Sequence, residues 1–88
     1  MSIENESAHI QNQMLRWRSR RGLLELELVL LPFLSTRLES LTLADKERYA
    51  RLLEYDDCDI FDWIQGRGEP EDPDLVDLVA DIRASNQP

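Results

Sequence analysis

One cysteine, one histidine and three glycines are all this 88-residue chain has of the residue types that build disulfides, metal sites and phosphate loops. With Cys58 alone, no internal disulfide and no cysteine-rich metal centre can form, which fits a reducing compartment. His9 has no cysteine or acidic cluster at ligand spacing, so no zinc site is expected and His9 reads as a surface residue near a loose N-terminus. A nucleophilic triad needs a histidine beside a serine or cysteine, and His9 and Cys58 fall on separate elements. Gly66-Arg67-Gly68 lacks the spacing and the lysine of a phosphate loop. Asp56, Asp57 and Asp59 lack the alternation, the glycine and the terminal glutamate of a calcium loop. No catalytic constellation survives, and an enzyme is not expected.

Long apolar runs are also missing. The stretch from Leu23 to Leu34 is interrupted by Glu25 and Glu27, whereas a bilayer span needs about 20 apolar residues. Arg20-Arg21 before that stretch has the outline of a twin-arginine export signal, but no small-residue cleavage site follows. The bacterial cytoplasm is therefore the expected location, with no insertion into the membrane. Positive charge is scarce: ten basic residues stand against eighteen acidic ones, a net charge of −8. That balance disfavours binding to nucleic acid or anionic lipid, and with it a helix-turn-helix reading of the arginines.

What is present is an alternation of apolar and charged positions at helical spacing. The composition, 42% hydrophobic and 32% charged, belongs to a folded chain with a well-solvated outer face. A chain of this size buries only roughly 60 to 65% of its unfolded surface, leaving little room for a private active site. Residues 1–6 show no periodicity and are expected to form a flexible N-terminus. Ser7 is placed to cap a first helix whose stripe is Ile10, Met14 and Trp17, widened by Leu15. The leucine-rich run 23–38 predicts a central helix, kinked or broken at Pro32. Thr42, with Asp45 three residues on, opens a third helix carrying Tyr49, Leu52 and Leu53 on one face. Asp56 or Asp57 caps a short fourth helix that Gly66 and Gly68 terminate. Asp72 and Pro73 open a fifth with the stripe Leu75, Leu78, Val79 and Ile82. The expected fold is all-α, a compact five-helix bundle in one domain over residues 7–84, with a flexible C-terminus at 85–88.

Two charge regimes meet at Gly22. Residues 1–21 carry four arginines against two glutamates, and residues 22–88 carry six basic against sixteen acidic groups, so the two parts are +2 and −10. Arg16, Arg18, Arg20 and Arg21 fall within six positions and are expected to project to solvent or to a partner. A glycine at such a junction can adopt positive φ or admit another backbone, because it has no Cβ. Glu25, three residues on, is placed to reach back towards the start of the next helix.

These residues resemble a known family. Trp17 before Arg20-Arg21-Gly22-Leu23-Leu24-Glu25-Leu26 carries an Arg-Gly-x-x-Glu motif. Leu31-Pro32-Phe33-Leu34 follows, and then Leu52-Leu53-Glu54-Tyr55-Asp56-Asp57-Cys58-Asp59-Ile60-Phe61-Asp62-Trp63-Ile64. Together, over about residues 14–80, they are similar to the SdhE-type flavinylation factors. The resemblance implies a five-helix bundle that binds the flavoprotein subunit of succinate dehydrogenase or fumarate reductase. Such factors promote covalent attachment of FAD to a histidine of that subunit; the cofactor belongs to the partner, and the factor acts as a monomer without a metal. Arg20, Arg21, Gly22 and Glu25 are the implied partner-binding residues, with Arg16, Arg18 and Asp59 as additional contacts. Asp56, Asp59 and Trp63 match the second motif, in capping and core roles. Cys58 stands where relatives often carry proline. The family also carries an antitoxin role, which leaves the neutralising of a membrane-associated toxin as the alternative function.

Overall fold

The computed structural model describes the backbone of residues 3–86 and the side chains from Ile10 onward. Among the described residues there are five α-helices and one short 3-10 turn: α1 (Ile3–Arg18), α2 (Leu24–Arg37), the turn Leu38–Ser40, α3 (Leu43–Leu52), α4 (Asp57–Ile64) and α5 (Pro73–Asn86). The all-α bundle read from the sequence is the fold found. None of these helices is long and apolar enough to cross a membrane.

α2 is the centre. Leu26, Val29, Leu30, Phe33 and Leu34 are all buried, because the helix is apolar around most of its circumference and α4 and α5 close over it. The break expected at Pro32 does not occur, and α2 runs through it. Pro32 and Leu28 both lie on the exposed side, so the Leu28 carbonyl that proline leaves without a donor faces water. α5 lays Leu75, Leu78, Val79 and Ile82 onto this core. Its acidic outer positions are tied back by basic side chains of the other helices. Arg37 makes a two-pronged bond to Asp81, at 2.8 and 3.2 Å, and Arg51 lies 3.4 Å from Asp72 and 3.5 Å from Asp74.

The caps follow local chemistry. Thr42 Oγ1 accepts from the Asp45 N–H at 3.1 Å, while the Asp45 carboxylate turns to Arg48 instead of completing the box. Asp72 Oδ1 accepts from the Asp74 N–H at 2.9 Å, with Pro73 in the first helical position. Gly66 and Gly68, at φ 86° and 84°, let the chain leave α4 in the left-handed region that side chains avoid.

α1 departs from expectation twice. It begins at Ile3, so Ser7 lies within the helix and does not cap it. Met1, Ser2, Gln87 and Pro88, which belong to the expected flexible ends, and the side chain of His9 lie outside the described residues. The stripe Ile10, Met14 and Trp17 is exposed, at 58%, 57% and 72%. The face that α1 buries is narrower and carries Leu15 and, one turn later, Ser19. Ser19 is a fully buried polar residue, and its contacts explain how it is tolerated. Its hydroxyl donates to the Leu15 carbonyl at 2.7 Å. Its one proton thus used, Ser19 Oγ accepts from the Tyr49 hydroxyl, also at 2.7 Å. Tyr49 stacks on Phe33 of α2 with ring centroids 6.1 Å apart. Burial pushes the Tyr49 phenol far above the usual tyrosine range, against the opposing pull of Ser19 and Arg21, so it stays protonated and donating.

Ser19→Ala leaves the Tyr49 hydroxyl buried without an acceptor and is expected to cost about 1–3 kcal/mol in urea unfolding. Tyr49→Phe leaves Ser19 still bonded to Leu15 and is expected to cost less. The reverse order would show that Ser19, not Tyr49, is the group that needs the pair.

Candidate functional site

The junction between α1 and α2 is built from residues 19–23, which continue α1 for one loosened turn and then cross to α2. Ser19 and Arg20 N–H groups bond back to Leu15 and Trp17, and Leu23 takes the N-cap position of α2 in an extended conformation. A leucine offers no capping oxygen, and Glu25 does not reach back: it is exposed and takes no part in the hydrogen bonds of the junction. The expected cap from Glu25 is replaced by one from α4. Asp57 Oδ2 accepts from the Leu23 N–H at 3.1 Å, and its other oxygen, Oδ1, receives Arg21 Nε at 2.7 Å.

Asp57 was expected only as a cap for its own helix. Asp56 holds the N-cap position of α4 by its backbone, without a side-chain bond, and Asp57 is the first helical residue. Its carboxylate therefore sits at the N-terminal end of α4 and at the start of α2 together, where helix dipoles favour negative charge. Burial acts to raise the Asp57 carboxyl. The bonds from Arg21 and from the Leu23 and Gly22 backbone N–H groups outweigh it and hold the carboxyl below its ordinary value.

The four clustered arginines divide between two faces. Arg18 turns inward to the Ala50 carbonyl of α3 at 3.3 Å. Arg21, expected among the solvated or partner-facing groups, is folded in: beyond Asp57 it donates to the Tyr55 carbonyl at 3.0 Å and the Arg18 carbonyl at 3.1 Å. Arg16 and Arg20 point outward. With Trp17, Leu31 and Ser35 they line an open groove of about 590 Å³ between α1 and α2, and the Arg20 guanidinium lies 5.9 Å from the Trp17 ring centre. Asp59 is exposed in the first turn of α4, outside the hydrogen bonds around Gly22. Trp63 is half-buried, edge-on to Tyr55 at 5.1 Å, in the core role the motif implied.

Gly22 is exposed and does not adopt positive φ. A Cβ added there would meet only Asp57 Oδ2, at an ordinary 3.8 Å. Nothing inside the fold requires glycine at this position.

The family model described as flavinator of succinate dehydrogenase, Sdh5, matches residues 13–86, which contain the junction and the whole of the bundle after the start of α1. The chain belongs to this family. Among the relatives of this flavinator-family member, the FAD assembly factor SdhE of Pseudomonas aeruginosa is 46% identical over 74 residues, covering 84% of this chain and 88% of the relative. That of Yersinia pseudotuberculosis is 36% identical over 87 residues, covering 99% and 92%. The solution structure of a UPF0350 protein superposes with a TM-score of 0.74 at 38% identity, covering 89% of this chain and 83% of that one.

The geometry sets a pH dependence. Asp57 has a folded pKa below its unfolded one, so its contribution to stability is complete above the unfolded value near ~4 and fades as pH falls through the folded value. The stability gap between the native chain and Asp57→Asn is expected to be of order 1 kcal/mol at neutral pH, after allowance for solvent screening. It should close in acid; a gap that persists at pH 2 would mean that shape, not charge, is what Asp57 supplies.

Proposed function

We propose that this chain docks on the flavoprotein subunit of succinate dehydrogenase or fumarate reductase and promotes covalent attachment of FAD to a histidine of that subunit. The observation that carries this reading is Gly22. A glycine with ordinary φ, whose missing side chain would begin with no more than an ordinary contact to Asp57 and whose outer side faces solvent, answers no demand of its own fold. An incoming backbone would supply that demand, since only glycine lets it approach within van der Waals distance of the chain. Arg20 and Glu25 stand exposed on either side of Gly22 in sequence, and opposite charges so placed fix the orientation of a partner more than they add affinity. Arg16 and Asp59 are the outlying contacts. Family membership and the names of the relatives support succinate dehydrogenase as the enzyme served.

The chain is read as a non-enzymatic factor. FAD is the partner's cofactor, and one copy of this chain engages one flavoprotein subunit. Docking stabilises the arrangement of the flavoprotein in which its histidine is held against the flavin methyl group. A protein ligand can do this only by binding that arrangement more tightly than the others.

The test is in-gel flavin fluorescence of succinate dehydrogenase in cells lacking their own factor. The native chain should restore covalent flavin. Gly22→Arg should abolish it, because a long cation occupies the place of approach, while far-UV circular dichroism and melting temperature change little. Glu25→Ala should lower it only in part. Normal flavin levels with Gly22→Arg would overturn the reading.

A further inference from the structure

We propose that Asp57 is a positioning residue for the docking junction, and that Arg21 serves docking through Asp57 without itself touching the partner. The inference rests on the docking role proposed for Gly22 and assigns inner parts to two residues around it.

Every nitrogen of the Arg21 guanidinium is engaged within the chain: Nε on Asp57, Nη2 on the Tyr55 carbonyl and Nη1 on the Arg18 carbonyl. Its side chain is 16% exposed and that of Asp57 24%. The planar fork of arginine suits this triple engagement, which a lysine could not reproduce. The two Asp57 oxygens bracket Gly22, Oδ1 holding the side chain of the residue before it and Oδ2 the N–H of the residue after it. The last α1-type bonds end at Arg20, and Leu23, the N-cap of α2, makes no side-chain capping bond. Between those limits the side-chain bonds that set the path of the chain all pass through Arg21 or Asp57. The pose of Gly22 is thus fixed from beneath by α4, while its outer side stays free.

An Arg21 that swung out to a partner would give up all three internal bonds. It would also leave the Asp57 carboxylate half-buried without its cation, a costly state when one member of such a pair is removed. Arg20 and Glu25 are free to meet a partner without that loss. An arginine and an aspartate 36 positions apart then act as one unit, and units of this kind are recognised by non-additive losses.

The test is a double-mutant cycle with Arg21→Gln, Asp57→Asn and both together, reading the Kd for the succinate dehydrogenase flavoprotein subunit loaded with FAD. All variants are compared at a temperature where each is folded by circular dichroism. Arg21→Lys takes the place of Arg21→Gln if the latter melts too low. Each single variant is expected to weaken binding roughly tenfold, and the double variant no more than either single. Glu25→Ala added to Asp57→Asn should instead multiply the losses, because Glu25 stands outside the latch; a merely destabilised fold would not distinguish the two combinations. Multiplying losses for Arg21→Gln and Asp57→Asn would overturn the proposal and make Arg21 a direct contact. So would an Asp57→Asn chain that binds within twofold of the native one. A native chain that does not bind the subunit overturns the docking role itself, and the proposal falls with it.

Discussion

The Asp57 carboxylate is the point at which three parts of the chain are tied together. It opens α4, caps α2 from outside, and receives the arginine that ends the α1 turn. An isolated surface ion pair contributes little, because water screens it and two long side chains must be ordered. This pair differs in being partly shielded and in being joined by further bonds to backbone, from Arg21 to the Tyr55 and Arg18 carbonyls and from the Leu23 N–H to Asp57, so each bond helps to order the groups that make the next. The junction is consequently held by charge and hydrogen bonding where the bundle around it is held by leucine packing.

That division explains the placement of basic charge. Arg16 and Arg20 are four residues apart and Arg18 and Arg21 three, so a single run of arginines is sorted by helical geometry onto two faces. The inner pair satisfies carbonyls at the ends of α1 and α3 and the carboxylate of α4. The outer pair flanks Trp17 along the groove. Elsewhere the acidic excess of α5 is tempered by Arg37 and Arg51. The outward cations of the α1–α2 face are thus set on a molecule whose remaining surface is mostly negative.

How far the chain could be read without its structure follows from the range of each interaction. The helices were legible because periodicity, the Thr42 and Asp72 caps and the glycines after α4 act within a few residues. The Arg-Gly-x-x-Glu motif was legible as a motif but not as a geometry. Its arginine looked like its neighbours, and nothing local says that Arg21 folds inward to a partner 36 residues away. The three carboxylates at 56, 57 and 59 were equally ambiguous, since any of them could cap a helix and only the approach of α2 selects Asp57. The α1 stripe failed for another reason. Spacing tells which side chains share a face, not whether another helix covers it, and α1 meets the bundle mainly through α3 along Leu15 and Ser19. The Ser19–Tyr49 bond had no signal at all, because a serine near a helix end ordinarily reads as a solvated residue.

The exposed indole of Trp17 has an optical consequence. The chain has two tryptophans, and they sit in contrasting surroundings: Trp17 is 72% exposed beside Arg20, whereas Trp63 is half-buried against Tyr55. Emission from the first reports the polarity of the α1–α2 groove, and emission from the second reports the integrity of the bundle. The molecule therefore carries two built-in dyes, one for its surface and one for its interior, and a single phenylalanine replacement separates their signals.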